Sequence, residues 1–125
     1  MAKIGALLFA AGAGITLVFH LAMILGAPWG HLTMGGRWEG ALPPAARGLS
    51  AASAALTTLM ALVVAANARL LNWRFPVWAF PAVLSLMALS VVMHLATPSR
   101  AERELWLPII LAMTAGTVAV ALGKR

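Results

Sequence analysis

The sequence predicts an all-α fold, a four-transmembrane-helix bundle with both termini on the same side. Three observations carry this reading. Hydrophobic residues fill 62% of the 125 positions and charged residues only 10%, with a mean hydropathy of +0.94; soluble domains are roughly half apolar and about a quarter charged. The apolar residues fall in four runs, at about 4–25, 45–70, 75–96 and 103–122. Each is long enough to cross a hydrocarbon layer of ~30 Å at about 1.5 Å per residue. The runs do not alternate in character as barrel strands do, and a helix satisfies its own backbone groups in lipid. Positions 1–125 read as a single integral membrane domain without tandem repeats.

The first run, MAKIGALLFAAGAGITLVFHLAMILG, has one lysine and then a long apolar stretch. A signal peptide has an apolar core of only about 7–15 residues, so this reads as a retained span. The second span opens at Pro43-Pro44, because proline fits a first helical turn. Asn67, Arg69, Asn72 and Arg74 mark the turn into the third. Pro98 ends the third span by biasing Thr97 away from the α region. Ser99 and Glu102 match a capping box at the start of the fourth: the serine caps, and the glutamate reaches back. Pro81 and Pro108 lie within spans as candidate bends. Ala10 with Gly14, Gly48 with Ala52 and Ala51 with Ala55 are small pairs spaced for close helix approach.

Four spans put Lys3, Arg69, Arg74, Lys124 and Arg125 at the end that holds the termini. Arg37, Arg47, Arg100 and Arg103 lie at the other end, with Glu39, Glu102 and Glu104. The Lys and Arg bias of five against four points to cytoplasmic termini. The net charge of +6 is spread singly along the chain, so it forms no patch for nucleic acid. The absence of cysteine excludes disulfides, thiolate metal sites and Cys-based catalysis.

The long first loop and the short third loop share a face. Its candidate binding residues are Trp29, His31, Arg37, Trp38, Glu39, Arg47, Arg100, Glu102, Arg103 and Trp106. The tryptophans also suit an aromatic belt at headgroup level. Arg47 suits either snorkelling to the interface or an ion pair with Glu39, Glu102 or Glu104. His20 and His94 lie near the loop-side ends of the first and third spans, with His31 above them. Such histidines suit haem, a metal or a proton relay, or a hydrogen bond to a neighbouring helix. Neither ligand spacing nor a haem motif accompanies them, and no nucleophile–base pair, phosphate loop or carboxylate pair is visible. No span carries an ionisable acid or base at its middle, which argues against an ion-coupled transporter. Four short helices resemble small multidrug transporters, but the first span lacks the acidic residue those carry.

Two stretches, GAPWGHLTMGGRWEGALPPAAR at 26–47 and LATPSRAERELWLPIILAM at 95–113, are similar to a family of small four-helix bacterial membrane proteins. That family shares a GAPWG–GG–G–LP loop and a TPS–ER–W–P segment. The matching positions are Gly26, Ala27, Pro28, Trp29, Gly30, Gly35, Gly36, Gly40, Leu42 and Pro43, then Thr97, Pro98, Ser99, Glu102, Arg103, Trp106 and Pro108. The resemblance implies the four-span fold and a bacterial inner-membrane location, and supplies no mechanism. Gly35, Gly36 and Gly40 permit backbone angles other residues avoid, which predicts a loop of defined shape.

The leading functional expectation is a binding, accessory or self-associating membrane component. Its site would lie on the 26–47 and 97–106 face, and its partners would be membrane lipids, a second copy or a larger membrane complex. The alternative is a small transporter or channel for an uncharged or apolar solute, which needs a cavity passing mid-membrane. The third is a haem or metal protein using His20 and His94.

Overall fold

In the computed structural model, which describes residues 1–123, the chain is an all-α four-helix bundle: α1 Ala2–Ile24, α2 Pro44–Asn67, α3 Ala79–Ala96 and α4 Arg100–Gly123. All four helices are long and apolar enough to cross a membrane. Gly123 approaches Ala2, so the start of α1 and the end of α4 share one end of the bundle. Lys124 and Arg125, counted above on that side, lie outside the described residues.

The helix ends follow from local chemistry. α1 stops in a Schellman motif: Gly26 takes φ +101°, its N–H donates to Met23 O, and the Ala27 N–H donates to Ala22 O. α2 stops three residues earlier than the apolar run, in the same motif. Here Arg69 holds φ +62°, Arg69 N–H donates to Ala66 O and Leu70 N–H to Ala65 O. The third helix starts at Ala79, not near Phe75, because Pro76 has no N–H and disfavours α geometry at Phe75. Pro81 then falls in the first turn, where a missing N–H breaks no helical bond, so it does not act as the bend expected of it. Pro108 does lie inside α4, yet the helix runs on to Gly123.

α1 packs against both α2 and α4, and α3 packs mainly on α4. The α1–α4 crossing is a backbone contact: a Cβ on Gly5 would lie 2.5 Å from the Gly116 carbonyl oxygen. Gly12 faces Met113 in the same seam. The small pairs expected to drive packing do not do so within the chain. Ala10, Gly14, Gly48, Ala51, Ala52 and Ala55 all face outward, and among the described residues no other part of the chain lies within 4 Å of a Cβ built on Gly14 or Gly48.

The core divides in two. One cluster, with Phe9, Met60, Val63, Val64, Val83, Met87, Met113 and Val120, fills the half nearer the termini. The other, with Phe19, Met23, Leu42, Ala46 and Trp106, lies under the first loop. Between them α2 and α3 part company. No residue from Ala51 to Leu59 on α2, or from Ala88 to Ala96 on α3, is buried.

Candidate functional site

The first loop is a built structure. It contains two short 3-10 turns, Gly30–Leu32 and Met34–Gly36. Gly30 N–H donates to Gly40 O at 2.8 Å, and a Cβ on Gly30 would meet Gly40 O at 2.6 Å and Trp38 O at 2.7 Å. Only glycine allows that approach. Gly35, Gly36 and Gly40 take positive φ, as their type permits. Met34 does so too, at φ +51°, while packing against the loop-side cluster.

Three side chains of the α4 start tie this loop down. The Trp106 indole N–H donates to Leu32 O at 2.8 Å, and its ring meets Phe19 edge-on with centroids 4.8 Å apart. The Ser99 hydroxyl donates to His31 O at 2.8 Å. The Glu102 carboxylate, 7% exposed, accepts the Gly35 N–H at 3.2 Å and the Thr97 hydroxyl. The capping box is therefore half formed. Glu102 N–H donates to Ser99 Oγ at 3.1 Å, but the carboxylate does not return to Ser99 N–H, which donates to Thr97 Oγ1 instead. The loop's amide draws the carboxylate away from its own helix.

The other candidates serve the loop or face outward. Arg47 makes none of the ion pairs considered for it; its Nε–H donates to Leu42 O at 2.8 Å, and its guanidinium faces Gly26. The main-chain acceptor is nearer than any carboxylate. Among the described residues the one ion pair is Arg100–Glu104, on the surface, where such pairs contribute at most about 1 kcal/mol. Arg37 lies over the Trp38 ring at 5.1 Å, a cation–π contact. Trp29 stacks on Phe19 and is partly exposed, whereas Trp106 is buried and belongs to no headgroup belt. Glu39 and His31 are exposed, and Arg103 is half-buried.

Beneath this roof lies a cleft of about 620 Å³, within the roughly 300–1,000 Å³ usual for small-molecule sites. Thr33, Met34, Gly35 and Pro98 roof it, and Glu102 and Trp106 line its α4 wall. Its two side walls are the unburied stretches of α2 and α3, so it opens sideways between them, past Leu56 (45% exposed) and Met93 (60% exposed). Phe9, Met60, Met87 and Met113 close its floor. By helical rise the floor lies roughly 14–24 Å below the loop-side helix ends, at and beyond the middle of a ~30 Å hydrocarbon layer. The cleft is closed at its floor and opens laterally between α2 and α3.

Of the residues read from sequence, Glu102, Trp106, His20 and His94 line the cleft. His20 Nδ1 lies 2.6 Å from Ser50 Oγ on α2, and His94 Nδ1 lies 2.7 Å from Ser90 O on its own helix. Each ring is thus oriented through Nδ1, with Nε2 its other nitrogen. Among the described residues no three His, Cys, Asp or Glu side chains gather as a metal-binding group. Thr33, Ser53, Thr57 and Ser90 were not singled out in the sequence, because isolated hydroxyls in alanine-rich spans carry no motif. No family model, curated protein or solved structure matches the chain.

Proposed function

We propose that this small multi-pass membrane protein is a binding or accessory component that takes a lipid-like molecule from the bilayer into the cleft under its first loop. The observation that carries the reading is the sideways opening between α2 and α3 over a closed floor. A ligand dissolved in the membrane reaches such a site without crossing water. The cleft is deep enough for the transporter alternative, but that reading also needs an opening on the far side, and Phe9, Met60, Met87 and Met113 close the cleft before one. Native mass spectrometry of gently extracted protein tests the proposal. The unaltered chain should carry amphiphile adducts that a cleft-filling Ser90→Trp substitution removes. Identical adducts on both, or none on the unaltered chain, would overturn it.

The same proposal assigns the chain to a bacterial inner membrane with cytoplasmic termini. The resemblance of residues 26–47 and 95–113 to the four-helix bacterial family supports the membrane, and the Lys and Arg bias supports the orientation. Reporter fusions at each terminus test it. Self-association is a second role, supported by the open space beside Gly14 and Gly48. A single species of monomer mass across a range of protein-to-lipid ratios would refute it.

A further inference from the structure

We infer that the cleft selects a non-anionic amphiphile whose head carries hydroxyl and ester-type groups, as an acylglycerol does. This rests on the cleft reading above and specifies its ligand. Serine and threonine inside a helix commonly return their hydroxyl to the carbonyl four residues back. Thr16, Thr58, Ser85, Thr114 and Thr117 all do so. Ser50 instead meets His20 across the α1–α2 interface. Ser53, Thr57 and Ser90 depart from the pattern: their hydroxyls bond no other group among the described residues, and all three line the cleft. Hydroxyls in an apolar setting that forgo the nearest carbonyl are placed to bond something else.

Their depth orders the head. By helical rise, His94 and His20 lie roughly 3 and 6 Å below the loop-side helix ends, Ser90 about 9 Å, Ser53 about 14 Å and Thr57 about 20 Å. A ligand hydroxyl suits the imidazole rim and Ser90, and an ester carbonyl suits the donors Ser53 and Thr57. The chain then continues over the methionine floor or out between α2 and α3. Charge decides the class. Among the described residues no lysine or arginine lines the cleft, so a phosphate or carboxylate head meets no fixed cation. It meets the Glu102 carboxylate instead, and like charges repel strongly in a low-dielectric site. The neutral donors of Gly35 and Thr97 hold that carboxylate in the roof without cancelling its charge, so the cleft discriminates against anionic heads.

The test is photolabelling of the full-length protein in lipid nanodiscs with monoolein carrying a diazirine in its acyl chain. Labelling should map to 51–60 on α2 and 86–94 on α3. Unlabelled monoolein should displace it, whereas oleate and lysophosphatidylglycerol at equal mole fraction should not. Ser53→Ala, Thr57→Val and Ser90→Ala, made singly, should each weaken labelling roughly 2- to 10-fold without altering thermal stability, since these hydroxyls hold no hydrogen bond among the described residues. Equal competition by an anionic amphiphile, or unchanged labelling in all three variants, overturns the headgroup inference and leaves the cleft reading standing. Failure of diazirine probes of every charge to label these stretches overturns both. Should a variant fail to fold, the competition on the unaltered chain still decides.

Discussion

Replacing Glu102 should release the roof of the cleft while leaving the bundle intact. Its carboxylate is buried and holds two donors from outside its own helix turn, the Gly35 N–H and the Thr97 hydroxyl. Hydrogen bonds to a charged group contribute about 1.5–3 kcal/mol each. Trp106 and Ser99 still hold the loop at Leu32 and His31, and Gly35 is the one donor within 30–36 that Glu102 binds, so Glu102→Ala should lower the cost of opening residues 30–36 by about 1.5–3 kcal/mol. At about 1.4 kcal/mol per factor of ten, amide exchange at Gly35 should accelerate by at least ~10-fold. Glu102→Gln keeps the shape and one acceptor and should produce a smaller effect. Hydrogen–deuterium exchange in nanodiscs reads this directly, with the α1–α4 crossing as internal control. Unchanged exchange at 30–36 in Glu102→Ala, or acceleration spread evenly over all four helices, would refute the assignment of Glu102 as the tie between loop and bundle.

Gly116→Ala should destabilise the protein by about 1–3 kcal/mol, since the new methyl meets the Gly5 backbone; Gly14→Ala and Gly48→Ala, facing open space, should be neutral or stabilising in the same thermal-shift assay. Arg69→Gly should raise the melting temperature, because an L residue in the left-handed region costs about 1–2 kcal/mol; an unchanged or lower value would mean that Arg69 makes a compensating contact. Trp106→Phe retains the ring packing on Phe19 but leaves Leu32 O without its indole donor. It should cost about 1 kcal/mol and loosen exchange near Leu32 without affecting α2.

The fold was legible because hydropathy and end signals act locally. Four apolar runs set the number of spans, and Pro43, Pro98 and Ser99 set helix boundaries within a residue or two. The misplaced boundaries have local causes as well: the left-handed cap at Arg69 and the break at Phe75-Pro76 end apolar runs that hydropathy alone continues. The two loops were correctly brought to one end. The cleft was not legible. In lipid the outer face of a helix is as apolar as its inner face, so no periodicity separates the Ser53, Thr57 side of α2 from its surroundings. The parting of α2 and α3 is a property of how four cylinders meet. Glu102 carried a local cap signal strong enough to hide its longer-range partner, Gly35, sixty-seven positions away.

The chain holds seven methionines, and Met34, Met60, Met87, Met93 and Met113 all border the cleft. Methionine is unbranched and polarisable, and it reshapes around irregular partners at little cost. A lining of this kind conforms to straight, kinked or branched tails alike. The polar groups do not: the hydroxyls and imidazoles stand on helices at fixed depths. Discrimination and tolerance are thus assigned to different ends of one ligand. Bound molecules drawn from a natural membrane should share one head chemistry while their tails vary in length and unsaturation.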